Sequence, residues 1–321
     1  MSGPAAAVAD HNADLANDVL TGLARPQKRL SSRFFYDARG SELFEAITDL
    51  ESYYPTRTEI GLLEQHAESI AAQIGPDPSL IEFGSGSNRK IRVLLSALNS
   101  PAAWVPIEIS ETALEESVAD LRRHFADLEL VPIHADFTQP VALPRARLSE
   151  NLVGFFPGST IGNFEPSEAL RFLGSIGTTL GAGAAMVIGV DLKKDLSVLL
   201  PAYDDPEGVT AAFNRNLLAR INRELSADFA LDAFEHEARY LADRGRIEMH
   251  LVSKEPQKVE VLGHVFSFYR GESIHTENSC KYTIDEFRLL ARAAGWRPVR
   301  VWTDPKPWFS VHLMRFEPDE G

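Results

Sequence analysis

The sequence predicts an α/β protein built on a doubly wound, mostly parallel sheet that carries an α+β insertion. Three observations support this fold class. Between residues 79 and 191, short apolar strands alternate with helices of about 10 to 15 residues, as in βαβ units. The alternation stops between residues 193 and 282. Two apolar segments at 299–303 and 310–316 then predict a closing antiparallel hairpin.

Helical spacing of apolar residues predicts the helices. Ser41 is a suitable N-cap for the second of them, because Glu42 and Glu45 place negative charge in the first turn. The Gly75-Pro76 pair ends the third. The predicted helices are 15–23, 42–47, 58–74, 90–98, 112–125, 167–180, 209–225 and 284–294.

Short, continuous apolar runs predict buried strands of a parallel sheet. Two further segments, 246–253 and 258–269, alternate in the manner of antiparallel strands. The strands predicted for the parallel sheet are 79–83, 105–109, 128–133, 152–156 and 185–191.

Composition excludes several classes of function. The 32 basic and 46 acidic residues give a net charge of −14, which repels nucleic-acid backbones and anionic lipids. No apolar run approaches the roughly 18 residues of a membrane helix. The single cysteine, Cys280, excludes an internal disulfide, and the nine scattered histidines suggest no zinc site. We expect a cytoplasmic monomer that acts on a small molecule without a metal.

A glycine-rich turn, Gly84-Ser85-Gly86-Ser87, follows the first strand of the sheet. Such a turn places backbone N–H groups and a helix N-terminus beside a ligand. A dinucleotide fingerprint requires a third glycine, but that position holds Arg89, followed by Lys90. The turn therefore suits a nucleoside with an amino-acid tail better than a pyrophosphate, although many glycine turns bind nothing.

Carboxylates also follow the next two strands. Glu108 lies 24 residues after Gly84, where a carboxylate can accept the ribose hydroxyls, and Asp136-Phe137 could pair with and cover an adenine. Taken singly, Glu108 could instead cap the next helix and Phe137 could belong to the core. Three such groups at three successive strand ends favour a nucleoside cofactor.

The residues after the fourth strand form a polar turn, 156–163, that ends in Asn163. Its side-chain amide is both a donor and an acceptor, which suits a polar substrate. The alternative is that Asn163 caps the helix beyond Pro166. Polar clusters at 202–205 and 275–282 could face an interdomain cleft or form exposed loops, and the residues alone leave both interpretations open.

At this point a resemblance becomes specific. From Phe34 to the C-terminus the chain resembles the histidine-specific N-α-methyltransferases of ergothioneine biosynthesis, which use S-adenosylmethionine and make hercynine. The closing antiparallel strand is also typical of the class I methyltransferase fold. The matching blocks are FFYDARGSELFEAIT, YYPTRTE, GSTIGN, AYDDPEGVTAAFNRN, RELSADFALDAFEH, RIEM and TENSCKY.

The resemblance implies roles for individual residues. The aromatic residues among them would otherwise be taken for core. Residues implied around S-adenosylmethionine are Tyr36, Gly84, Gly86, Lys90, Glu108, Ser110, Asp136 and Phe137. For the histidine substrate they are Asn163 and Tyr203 at the carboxylate, Tyr53, Glu277 and Ser279 at the imidazole, and Phe44 and Met249 in the pocket wall. Tyr36 and Asn163 are the expected catalytic residues.

One position departs from the family pattern. Members of the mycobacterial type carry an Asp near the ribose where this chain has Ser110, so Glu108 is expected to bind the ribose alone. This affects the expected cofactor affinity more than the expected reaction.

The resemblance also implies two domains, one that binds the cofactor and one that binds the substrate. Residues 56–192 with 283–321 would form the cofactor-binding methyltransferase domain, and residues 1–55 with 193–282 the substrate-binding domain. The expected reaction is metal-free trimethylation of the α-amino group of L-histidine. Alternatives are an N-methyltransferase for another amino acid such as tryptophan and, more remotely, a nicotinamide oxidoreductase or a non-catalytic binding module.

Overall fold

The computed structural model describes residues 4–318, and the chain divides into two compact units. The sheet unit consists of residues 54–194 together with the chain from 280 onward, and the insertion unit consists of the chain up to 53 together with 195–279. The boundaries expected from the sequence, after residues 55, 192 and 282, differ from these by two or three residues.

Helices occupy both units. The two predicted at 209–225 and 284–294 begin at the predicted residue, three others begin one or two residues earlier, and the first three begin four or more residues earlier. The bounds of the helices are α1 Pro4–Leu23, α2 Ala38–Asp49, α3 Tyr54–Ile74, α4 Asn88–Ala97, α5 Glu111–His124, α6 Pro166–Leu180, α7 Leu196–Leu199, α8 Val209–Leu225 and α9 Ile284–Ala293. Among the described residues, none of the helices combines the length and the hydropathy needed to cross a membrane.

The strands fall into three sheets. Their bounds are β1 Lys28–Arg29, β2 Ser79–Phe83, β3 Ala103–Glu108, β4 Glu129–Leu130, β5 Ile133–His134, β6 Leu152–Phe156, β7 Ala185–Asp191, β8 Phe234–Leu241, β9 Arg246–Ser253, β10 Gln257–Val261, β11 His264–Phe268, β12 Ser273–Cys280, β13 Trp296–Thr303 and β14 Phe309–Phe316.

The sheet unit contains an eight-stranded sheet with the order β13-β14-β7-β6-β2-β3-β4, in which β5 also pairs with β3. Strands β7, β6, β2, β3 and β4 are parallel, and β14 joins β7 and β13 in antiparallel fashion. Ile81 and Phe83 belong to one core cluster and Leu80 to another, so both faces of β2 are covered. The predicted doubly wound fold with its closing hairpin is confirmed.

The topology also locates the functional edge of this sheet. From β2 the chain continues to β3 on one side, whereas β6 lies on the other side of β2. Such a switch in strand order opens a crevice at the carboxyl ends of the strands, where doubly wound proteins bind ligands. The glycine turn follows β2 directly.

The insertion unit contains a four-stranded sheet with the order β1-β12-β9-β8 and a separate hairpin, β10-β11. Helix α8 packs its Phe213 ring against Phe35, with the ring centroids 4.5 Å apart. Three of these strands, β1, β8 and β12, were not predicted.

Three local expectations were wrong for identifiable reasons. Helix α2 starts before Ser41, because the Asp37 carboxylate accepts the Gly40 N–H at 2.7 Å and is the N-cap. The strand expected at 128–133 splits into β4 and β5, and Pro132 lies between them without an N–H to donate. The strand expected at 258–269 is a hairpin that turns at Leu262-Gly263, both with positive φ.

Candidate functional site

The glycine turn adopts a backbone conformation that requires glycine. Gly84 has a φ of +84°, and its N–H donates to the Ile107 carbonyl at 2.9 Å. A Cβ at this position would lie 3.3 Å from the Phe137 ring. The backbone and Phe137 therefore meet without room for a side chain at the carboxyl edge of the sheet.

Glu108 holds this edge together. Its carboxylate accepts backbone N–H groups from Ser85 at 3.1 Å, Ile109 at 2.9 Å and Ser110 at 3.1 Å. Burial raises the pKa of Glu108, while these hydrogen bonds oppose the rise. Glu108 is not the cap of α5, because Ser110 is its N-cap and accepts the Ala113 N–H at 3.3 Å. The half-buried carboxylate is thus fixed in place with part of its surface exposed.

Asp136 and Phe137 lie side by side beyond β5. One Asp136 oxygen accepts the backbone N–H of Thr138 at 2.8 Å and its hydroxyl at 2.6 Å, which fixes the turn. The Phe137 ring lies 5.7 Å from Phe156 and 5.8 Å from Phe172 and is only partly buried. Phe137 is therefore packed against the core and still has an exposed part.

Lys90 belongs to an ion pair that the sequence did not suggest. Its Nζ lies 2.6 Å from Oε2 of Glu59, which is 1% exposed and accepts the Gly158 N–H at 2.8 Å. Glu59 thereby joins α3 and α4 to the turn after β6. The sequence signal that could have pointed to Glu59 is its position in the matching block YYPTRTE.

Asn163 ends a 3-10 turn, Thr160–Asn163, that packs against the end of β12 within the sheet unit. A Cβ on Gly162 would lie 2.8 Å from the Cys280 carbonyl oxygen, so glycine is required by this close approach. Glu165 is the N-cap of α6, which excludes the alternative that Asn163 caps this helix. The Asn163 side chain is half-buried.

Glu82, on the central strand β2, is a second carboxyl group near the carboxyl edge of the sheet, and no sequence pattern singled it out. It is 1% exposed and accepts the Trp104 Nε1–H at 2.9 Å. Burial raises its pKa to about 8; the Trp104 hydrogen bond and the charge of Lys90 oppose this rise, and the charge of Glu108 adds to it. The side chain is therefore protonated near neutral pH.

Replacing Glu82 with glutamine should change how stability depends on pH. A pKa raised on folding means that the folded state binds a proton that the unfolded chain releases, so wild-type stability falls as pH rises from 4.5 to about 8. Relative to Glu82→Gln, we expect a loss of about 1.4 kcal/mol per pH unit in this window. Urea unfolding at a series of pH values measures this difference. Curves that stay parallel would show that Glu82 is ionised in the folded protein.

A buried charge cluster lies at the end of β7. Asp191 is fully buried and accepts Lys281 Nζ at 2.5 Å, Lys194 Nζ at 2.5 Å and the Tyr54 hydroxyl at 2.7 Å. Burial would raise the pKa of Asp191, but the two ammonium groups hold it below its ordinary value. The Asp191 N–H donates to Ser159 Oγ at 2.9 Å, so the cluster also anchors the turn that leads to Asn163.

In the insertion unit, the predicted aromatic residues form one continuous row. Ring centroids are 5.6 Å apart for Tyr36–Phe44, 6.3 Å for Phe44–Tyr53 and 6.3 Å for Tyr53–Tyr203. The Tyr203 hydroxyl lies 2.8 Å from Ser279 Oγ. The structure therefore brings together four of the residues expected around the substrate and Tyr36, which was expected at the cofactor.

Glu277 and Ser279 lie on β12, two residues apart, so their side chains share one face of the strand. Glu277 is half-buried. The neighbouring strand β9 carries Met249, which is 2% exposed and whose carbonyl accepts the Thr276 hydroxyl at 3.0 Å. The alternative that residues 275–282 form an exposed loop is wrong, because β12 pairs with β1 and β9 and is largely buried.

The expected site residues divide between the units by ligand. The cofactor residues other than Tyr36 belong to the sheet unit, and the substrate residues other than Asn163 belong to the insertion unit. Over residues 4–318, no group of three or more His, Cys, Asp or Glu side chains is arranged to hold a metal ion.

Comparison with known proteins identifies the family. Residues 15–316 match the family model described as "Histidine-specific methyltransferase, SAM-dependent". The chain belongs to this family. Its members use S-adenosylmethionine as methyl donor, and the match decides against a nicotinamide oxidoreductase.

Individual relatives agree with the family model. The chain is 41% identical to "Histidine N-alpha-methyltransferase" of Mycolicibacterium smegmatis over 93% of this chain and 94% of that protein. It is 39% identical, with the same coverage, to the protein of that name from Mycobacterium tuberculosis. "Ergothioneine biosynthesis protein 1" of Neurospora crassa is 29% identical over 92% of this chain, which spans 34% of that longer protein.

Proposed function

We propose that this enzyme transfers three methyl groups from S-adenosylmethionine to the α-amino nitrogen of L-histidine and so forms hercynine for ergothioneine biosynthesis. The observation that carries the substrate assignment is the Tyr203–Ser279 contact, which joins a residue expected at the carboxylate to one expected at the imidazole. The family match and the histidine methyltransferases at about 40% identity support the reaction.

The sheet unit would hold the cofactor. The Gly84–Gly86 turn offers a close backbone approach, and the fixed Glu108 carboxylate has the chemistry to accept ribose hydroxyls. Asp136 and the exposed part of Phe137 suit an adenine, while Lys90 would support the turn after β6 through Glu59. Ser110 has no carboxylate, and its hydroxyl caps α5. Glu108 would therefore be the one carboxylate that binds the ribose.

Substrate recognition would come from groups at the two ends of histidine. Asn163 and Tyr203 would bind the carboxylate, and Tyr53, Glu277 and Ser279 would bind the imidazole, with Phe44 and Met249 in the pocket wall. Anchors at both ends leave the α-nitrogen as the one free nucleophile.

When bound, S-adenosylmethionine supplies an electrophilic methyl group on a sulfonium. The residues of this chain need to orient a neutral amine, exclude water and leave room for a trimethylammonium product. Positioning of this kind contributes about 7–11 kcal/mol in the best model systems. The Tyr36 hydroxyl would orient the amine or pass its proton to water, and the reaction would need no metal.

The assignment is tested by incubating the purified chain with S-adenosylmethionine and an equimolar pool of amino acids, followed by mass spectrometry. We expect three successive methyl increments on histidine alone, with the same yield after treatment with EDTA. Methylated tryptophan would support the alternative substrate instead. Loss of turnover in EDTA that zinc or magnesium restores would contradict the metal-free mechanism.

A further inference from the structure

A buried hydrogen-bond chain runs through the insertion unit beneath the expected histidine-binding residues. The Tyr203 carbonyl lies 2.8 Å from His236 Nε2, and His236 Nδ1 lies 2.8 Å from Asn214 Nδ2. Asn214 Oδ1 accepts the Thr276 hydroxyl at 2.8 Å. The residues His236, Asn214 and Thr276 are 8%, 0% and 2% exposed, so the whole hydrogen-bond chain is shielded from water.

Two backbone carbonyl groups, those of His250 and Tyr203, determine which atom donates in each bond of this hydrogen-bond chain. Asn214 Nδ2 also donates to the His250 carbonyl at 3.1 Å, which fixes the orientation of the amide. His236 Nδ1 must therefore accept from Asn214, and Nε2 must carry the hydrogen that is donated to Tyr203. The ring is neutral with a single defined tautomer. Burial lowers the pKa of His236, although the Asp204 carboxylate, 3.9 Å from Nε2, opposes this.

This hydrogen-bond chain connects residues expected at the two ends of the substrate. Tyr203 is held at its backbone by His236 and at its hydroxyl by Ser279. Thr276 is adjacent to Glu277 on β12. The distance between the Tyr203 segment and the strand that carries Glu277 is thus set at two points, by the direct Tyr203–Ser279 bond and by the buried His236 and Asn214 side chains. Asn214, His236 and Thr276 each come from a different one of the matching sequence blocks, AYDDPEGVTAAFNRN, RELSADFALDAFEH and TENSCKY.

We propose that His236, kept neutral and oriented by Asn214, is a positioning residue that holds Tyr203 in place relative to the Glu277–Ser279 face of β12 and thereby makes the pocket selective for histidine. This inference rests on the proposed function. A displacement of about 1 Å in a binding group can cost two orders of magnitude in rate, so a rigid connection beneath the pocket has a direct effect on turnover.

The test compares His236→Phe, which keeps the ring volume, with His236→Gln, which keeps a donor for the Tyr203 carbonyl. We expect His236→Phe to raise KM for histidine at least tenfold and to reduce the preference for histidine over phenylalanine. Calorimetry should give an unchanged Kd for S-adenosylmethionine, because the bonded residues belong to the insertion unit, whereas the residues assigned to the cofactor, other than Tyr36, belong to the sheet unit. His236→Gln should recover part of the histidine affinity.

His250→Phe is the matched control. This histidine is buried in the same sheet, and the variant keeps the backbone carbonyl that orients Asn214, while the ring that it removes bonds Glu248 and Ser273 rather than Tyr203. We expect it to lose thermal stability and keep wild-type KM and selectivity. Equal KM values in His236→Phe, His250→Phe and wild type would overturn the proposal and leave His236 a purely structural residue.

Thr276→Val breaks the same hydrogen-bond chain at its other end and is the variant to measure if His236→Phe does not fold. A raised KM for histidine supports the proposal, and a wild-type KM with wild-type selectivity contradicts it. Failure of the proposed function gives a different result, since the wild-type enzyme would then leave histidine unmethylated and the claim of selectivity for histidine would fall with it.

Discussion

Replacing Glu277 with alanine should raise KM for histidine by about 10- to 150-fold and leave the Kd for S-adenosylmethionine unchanged. A hydrogen bond to a charged group contributes about 1.5–3 kcal/mol, and each 1.4 kcal/mol is a tenfold change in affinity. Glu277 shares its face of β12 with Ser279, so a carboxylate and a hydroxyl are available for the two imidazole nitrogens. Discrimination against leucine and phenylalanine should shrink in the same variant. Steady-state kinetics with each amino acid measures both effects.

Glu277→Gln is the matched control, because it keeps the volume and one acceptor oxygen and should show a smaller rise in KM. A competing explanation is that Glu277 only stabilises β12, for example through an ion pair with Lys281, four residues further along the chain. The structure bonds Lys281 to the buried Asp191. If the competing explanation holds, melting temperature and affinity for both ligands should fall together without a change in preference. A stable Glu277→Ala enzyme with wild-type histidine kinetics would exclude the imidazole contact.

Replacing Asp191 with alanine should lower the free energy of unfolding by about 3–5 kcal/mol, since it leaves buried ammonium groups without a counter-charge. Lys281 is fully buried and Lys194 nearly so. Burial lowers the pKa of Lys194 to about 8, against the attraction of Asp191, so this lysine can respond by losing its proton. Lys281 would remain the main uncompensated charge. Denaturant unfolding at pH 7 measures the loss.

Two further variants separate charge burial from packing. In Asp191→Leu with Lys281→Met the whole pair becomes apolar, and the loss should be smaller than for Asp191→Ala, because both desolvation costs disappear. Arg297→Ala breaks the exposed pair with Glu317, 2.7 Å apart, and should cost no more than about 1 kcal/mol. A loss for Asp191→Ala as small as for Arg297→Ala would show that the cluster contributes little to stability.

The candidate site was only partly predictable. Glycine and acidic residues at strand ends indicated a nucleoside-binding edge, because the carboxyl ends of parallel strands converge there. The aromatic residues of the row are different. An aromatic side chain suits a core as well as a pocket, so a family resemblance was needed to propose a role for Tyr36, Phe44, Tyr53 and Tyr203. Their arrangement in one row depends on the contact between Tyr53 and Tyr203, which are 150 residues apart in the chain.

The sequence by itself determined the buried parallel strands β2, β6 and β7 and the long helix α8, whose observed bounds are those predicted. These elements are decided locally, since a strand covered on both faces is a continuous apolar run and α8 follows its own apolar spacing. Only the tertiary structure decided that the polar segment Ser273–Cys280 is a buried strand. Its polar side chains can be buried because distant residues satisfy them, with Thr276 bonded to Asn214 and Ser279 to Tyr203. No local pattern specifies such partners, because burial of a polar group becomes favourable only once its hydrogen-bonding partner has been brought to it by the fold.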